Sequence, residues 1–236
     1  LNIIITMIIS TENKNLTLKK LNHIDTIIKP LKDFFERFGL KMAAILLLII
    51  ASYRLTDIVM GPMANPFYID MGYTLSEIGY IVKVVALIST IIGVFVGGIL
   101  IKKFGLYKSL LIGAFLVMIT NLLFSYTAIT DKNLTLLASI VASDSLAAGI
   151  VGTVNITFLT SLVSQKYTGF QYALLTSVMT FTGTIFKGFS GVIVESFQSL
   201  YGFNYGWMSF YIFTSCLALP AILLIISKKG FFVNSD

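Results

Sequence analysis

The stretch MAAILLLIIASYRLTDIVMGPM, residues 42–63, decides how the rest of the chain is read. At ~1.5 Å per residue it is long enough to cross a bilayer as a helix. Yet Arg54 and Asp57 stand near its middle, with Tyr53 beside them and Pro62 at its exit. A charge at that depth costs roughly 2.5–3.5 kcal/mol to insert, so it is expected to be paired or to face a wet cavity. The i, i+3 spacing puts both charges on one helical face. A spanning helix with an internal ion pair points to a polar pathway.

Composition supports a membrane setting for the whole chain. Of its 236 residues, 56% are hydrophobic and only 12% charged, and the mean hydropathy is +0.90. Soluble domains carry ~25% charged residues, so the expected fold class is an all-α integral membrane protein. One cysteine, Cys216, excludes a disulfide framework, and a single histidine, His23, leaves no His/Cys metal cluster. There is no nucleophile–base pair, phosphate loop or HExxH motif, so no cofactor is expected and an integral-membrane enzyme lacks its catalytic set. Asn133-Leu-Thr135 has the form of a glycosylation triplet, a weak signal alone.

Five further apolar stretches follow the first, giving six expected spans: 42–63, 77–101, 109–129, 134–163, 170–194 and 206–226. Residues 1–9 are apolar but too short to span; they read as the tail of a preceding helix or as an interfacial stub. Residues 10–41 are polar and basic. Within them IDTIIKPLKDFFERF (24–38) is amphipathic, so Phe34, Phe35 and Phe38 could lie against headgroups while Lys29, Lys32 and Arg37 face water. A plain solvated linker fits the same segment. Residues 227–236 form a short basic tail.

Of seventeen Lys and Arg residues, thirteen flank the spans on one side and only Lys132 lies on the other. Arg54, Lys83 and Lys187 fall inside spans. This asymmetry puts both termini in the cytoplasm and explains the net charge of +6 as a topology signal, so no nucleic-acid partner is expected.

Five ionisable residues stand inside spans: Arg54, Asp57, Lys83, Asp144 and Lys187. Counted from the non-cytoplasmic ends, they lie roughly 9–15 Å deep, in one layer. Their charges sum to +1, which suits a cavity receiving an anionic group. They also read as static pairs fixing helix contacts, and Lys187 as a snorkelling side chain. Burial favours a neutral carboxyl and a nearby cation favours a charged one, so a moving partner can make such a group bind and release a proton. Asp57 and Asp144 are the candidates, with Asp144 preferred because no cation lies at helical spacing. The fifth span (Thr176, Thr180, Gly183, Thr184 and Gly188 among others) is too polar to face lipid all round. Gly93, Gly97 and Gly98 give the second a small-residue packing face. The third and sixth read as outer helices, with Asn121 and Pro220 as exceptions.

Several segments resemble the AmpG muropeptide permeases of the major facilitator superfamily. They are Asp33-Phe34-Phe35, YRLTD (53–57), IGYIVK (78–83), GGIL (97–100), ITDKNL (129–134), FQYALLTS (170–177) and WMSFYIF (207–213). The resemblance runs in order from about residue 33 to 226. It implies the six-helix C-terminal half of a twelve-helix transporter in the bacterial inner membrane. Such a transporter imports anhydromuropeptides with protons by alternating access. Residues 10–41 would then be the central linker. Carboxylates of the solute would meet Arg54, Lys83 and Lys187, and its sugars Tyr53, Tyr80 and Tyr172. The turn GGILIKKFGLYK resembles the superfamily gating motif at Gly98, Lys103 and Gly105; Lys102 stands at its acidic position, which removes the charge relay. The implied partners are the bilayer, the muropeptide or another anionic solute, and a separate N-terminal half or a second copy. The rival expectation, favoured by the start at Leu1, is a split-gene remnant or a scaffold that moves nothing.

Overall fold

A computed structural model describes residues 23–233; the readings of 1–22 and 234–236 lie outside the described residues. Among these residues the chain is helical, without strands. The order is α1 (His23–Tyr53), α2 (Leu55–Asp70), α3 (Leu75–Tyr80), a π-helical segment (Ile81–Val85), α4 (Ala86–Thr127) and α5 (Leu134–Leu162). Then come α6 (Thr168–Gly188), α7 (Ser190–Tyr201), α8 (Phe203–Cys216), α9 (Leu219–Ser227) and α10 (Lys229–Val233). Five helical runs are long and apolar enough to cross a membrane: Ile27–Asp70, Leu75–Thr127, Leu134–Leu162, Thr168–Tyr201 and Phe203–Ser227. The chain is a multi-pass membrane protein.

Leu75–Thr127 covers two of the expected spans, and a glycine divides it. Gly105 has φ 77°, a conformation that side-chain-bearing residues avoid. Before it, Gly93 lies against Leu146 and Gly149, and Gly97 against Ile150 and Thr153. After it, Gly113 approaches Val151 and Thr120 bonds Asp144. The first arm therefore ascends α5 and the second descends it, so the chain reverses at Gly105. A Cβ at Gly93 or Gly149 would collide with the facing backbone, so these two glycines set how closely α4 and α5 approach.

Gly39, with φ 70°, breaks α1 in the same way. The arm before it is the amphipathic segment. Phe34 is only 2% exposed and stacks edge-on with Phe35 and Phe38, and Phe38 meets Phe231. The aromatic face expected against headgroups thus packs on the bundle, because α10 and the core offer it a drier surface. Gln171 fixes it there. Its amide donates to the Pro30 carbonyl (2.8 Å) and Asp33 Oδ2 (2.9 Å), and its oxygen accepts from Arg37 (3.0 Å) and the Ser164 N–H (2.7 Å).

At the opposite end of the bundle, three ties join loops and helix ends. Trp207 Nε1 donates to Asp70 (2.9 Å), Tyr73 and Asn133 exchange hydrogen bonds, and Lys132 pairs with Glu77 at 2.9 Å. Asn133 also caps α5 by accepting from the Leu136 N–H, which accounts structurally for the asparagine of the triplet.

Two hydrophobic cores fill the bundle. One holds Tyr53, Val117, Ala147, Val151 and Phe158; the other holds Leu55, Phe67, Phe124, Val141, Trp207 and Tyr211. Along three helices the change from one core to the other falls at Arg54, Thr120 and Asp144. The polar layer lies between two dry blocks.

Candidate functional site

The helix carrying the first charges is interrupted where they stand. Arg54 (φ −108°, ψ 8°) is not helical, although its carbonyl still accepts from the Ile58 N–H at 3.1 Å. Pro62 and Pro66 follow inside α2, each without an N–H to give the preceding turn. The helix runs through both to Asp70, so Pro62 is not the exit the sequence implied. Irregular backbone at membrane depth is tolerated where it lines a cavity or is buried in protein.

A cavity of about 300 Å³ opens beside this interruption. Arg54, Asp57, Asn65 and Tyr68 line one wall, and Asp144 and Ser145 of α5 line another, with Val82 and Ala86 between. Arg54 Nη2 stands 3.6 Å from Asp57 Oδ2, their side chains 32% and 18% exposed. Charge-assisted hydrogen bonds run at about 2.7–2.9 Å, so this is an ion pair that has not closed. Arg54 Nε and Asp57 Oδ2 have no hydrogen-bond partner among the described residues. A donor and an acceptor are left over for a third group, and leaving them so is costly.

Asp144 has a different environment. Among the described residues no cation lies within ion-pair distance of it. Thr120 Oγ1 lies 2.9 Å from Asp144 Oδ1 and 3.1 Å from the Val117 carbonyl. A hydroxyl has one proton and two acceptors here. Given to Asp144, that proton supports a carboxylate. Given to Val117, it frees the hydroxyl oxygen to accept from a carboxylic acid. Thr120 therefore satisfies either protonation state without moving.

Of the five charges expected in one layer, the structure gathers Arg54, Asp57 and Asp144 in this cavity. Lys83 lies in the π-helical segment, whose wider turn leaves it in an adjoining groove of about 470 Å³ that shares Asn65 and Val82 with the cavity. Lys187 is exposed at the end of α6 and lines neither. With both acids ionised, the cavity is formally negative, whereas the five-residue layer summed to +1.

The tyrosines separate too. Tyr53 is buried and donates to the Leu110 carbonyl at 3.2 Å; Tyr80 is 65% exposed; Tyr172 packs on the core. None of the three lines the cavity. At the turn resembling the gating motif, Gly105 makes the reversal, Lys103 lies over the Phe104 ring at 5.3 Å, and Gly98 is exposed with open space beside it. Among the described residues, no group of three or more His, Cys, Asp or Glu could hold a metal. Asn65, Tyr68 and Thr120 were missed from sequence: the first two lie beyond Pro62, and a threonine in a span ordinarily bonds its own helix.

Comparison with known proteins extends this geometry. No family model matches the chain, and no solved structure matches it. AmpG 4 of Rickettsia felis is 34% identical over 94% of the chain and 53% of its own length. AmpG 4 of Rickettsia conorii is 33% identical over 92% of the chain and 51% of its own length. The anhydromuropeptide permease of Escherichia coli K12 is 30% identical over 85% of the chain and 39% of its own length. The chain is similar to the AmpG-type transporters along most of its own length, and it spans about half the length of the curated relatives it matches.

Proposed function

We propose that the chain is the C-terminal half of a proton-coupled secondary transporter of the major facilitator superfamily that brings anhydromuropeptides into the cytoplasm by alternating access. Counting Leu75–Thr127 as two crossings, reversed at Gly105, supports a six-crossing reading, and the Lys and Arg asymmetry of the flanks supports cytoplasmic termini in the bacterial inner membrane. The observation that carries the reading is the meeting of Asp144 with the open Arg54–Asp57 pair in one cavity between two cores. Arg54 offers a carboxylate of the solute its free Nε, and Asp144 takes the proton. As solute displaces Asp57 from Arg54, the acids lose a cation and binding becomes linked to protonation. Lys83, in the groove that continues the cavity, meets a second anionic group of a long solute. The cavity is walled by this chain on one side, and a separate N-terminal half or a second copy closes the other.

The test is uptake of labelled anhydromuropeptide into energised vesicles. Vesicles holding the chain with a matching N-terminal half should accumulate it in response to a proton gradient, and collapsing the gradient should stop it. No uptake in any pairing, with both proteins folded and inserted, would remove the transport reading. The second reading is a membrane scaffold or split-gene remnant without transport. That result would favour it.

A further inference from the structure

We infer that a cleft at the cytoplasmic membrane boundary, between the Gly39 break and the end of α9, binds an anionic glycerophospholipid. It is separate from the transport cavity and shares no residue with it. The cleft measures about 390 Å³ and is lined by Phe38, Leu40, Lys41, Met42, Ile45 and Lys228, with Gly39 at its corner. Its two ammonium groups come from opposite ends of the described chain: Lys41 follows the Gly39 break, and Lys228 ends the last long apolar helix. Neither has an ion-pair partner among the described residues, and no carboxylate lines the cleft.

The walls are built rather than incidental. Phe38 is held from three sides, by Phe34 at 5.0 Å, by Phe231 at 5.9 Å and by the Arg37 guanidinium at 5.0 Å. The left-handed turn at Gly39 ends the interfacial arm and starts the membrane crossing, so Lys41 stands at headgroup level while Met42 and Ile45 lie deeper. Leu40, 76% exposed, is a large apolar side chain at the mouth. Cations above and aliphatic surface below match a phosphodiester headgroup with its acyl chain; basic pockets at cytoplasmic helix ends take such lipids. Free phosphate would use the lysines and leave the apolar wall unfilled. The occupant is therefore the lipid.

The experiment titrates the purified full chain, in a neutral detergent, with phosphatidylglycerol and counts bound lipid by native mass spectrometry. One saturable site is expected, weakened roughly thirtyfold in Lys41→Gln/Lys228→Gln, with a ~1 kcal/mol contribution from each lysine. Lys102→Gln/Lys103→Gln removes the same charge from another cytoplasmic turn and should leave affinity within about twofold. Equal loss in both double variants would overturn the site in favour of diffuse attraction. Phosphatidylethanolamine binding as tightly, or inorganic phosphate displacing the lipid, would overturn it also. Unchanged helicity and elution of both variants keeps the comparison valid, and Lys228→Glu gives an independent loss to check against.

Discussion

Asp144 and Thr120 show how much one hydroxyl matters inside a membrane. Among the described residues no cation lies within ion-pair distance of the carboxyl, so Thr120 is what makes both of its protonation states tolerable. Asp144→Asn, which keeps shape and removes the titratable proton, should reduce proton-driven uptake to background while protein level holds. Thr120→Val should impair coupling and Thr120→Ser preserve it, measured as uptake with and without the gradient. Equal uptake in Asp144→Asn and the parent would take Asp144 out of the mechanism. A second buried pair tests packing alone. Thr214 donates to Asn121 Oδ1 at 2.9 Å, joining α8 to the second arm of α4. Thr214→Val should cost about 0.6–2 kcal/mol, read as a lower melting temperature in detergent. At this scale the sequence was a partial guide. Arg54, Asp57 and Asp144 stood out because charge inside an apolar run is expensive. Nothing in their spacing said that Lys83 and Lys187 would stay outside, since a π-helical turn and a helix end decided where those two lie.

The elements depend on glycine at a few positions. Gly105 and Gly39 turn the backbone where other residues would be strained, and Gly93 and Gly149 let α4 and α5 touch. Gly149→Leu would drive a side chain into the backbone around Thr90 and Val94. Overpacking of this kind costs about 1–3 kcal/mol. It should appear as a lower detergent melting temperature, with Gly152→Leu, where open space is found, nearly silent. That the chain carries membrane-spanning helices was legible because apolar runs of sufficient length mean little else at this composition. The end of α2 was not, since Pro62 read as the exit and was instead absorbed, with Pro66, into a helix beside the cavity. The destination of Phe34 was hidden for a related reason: an amphipathic pattern reports a buried face without saying whether lipid or protein covers it.

Across the whole molecule, the two cores lie on either side of a polar layer. The Gln171 network at one end and the Trp207–Asp70 tie at the other hold the helix ends in place. Reporter fusions at both termini should score cytoplasmic and an insertion beside Lys132 should score external; a terminus found outside would overturn the orientation. The central physical claim is that Arg54, Asp57 and Asp144 share a water-filled hollow inside the lipid. The most direct test uses a Cys216→Ser background with Gly61→Cys or Ala148→Cys, one from each wall of the cavity, and Leu223→Cys on the outer face of α9. A charged, membrane-impermeant thiol reagent should modify the two cavity positions in intact vesicles and spare Leu223→Cys. Cavity cysteines that stay unreactive while an apolar, membrane-soluble reagent labels them would contradict it.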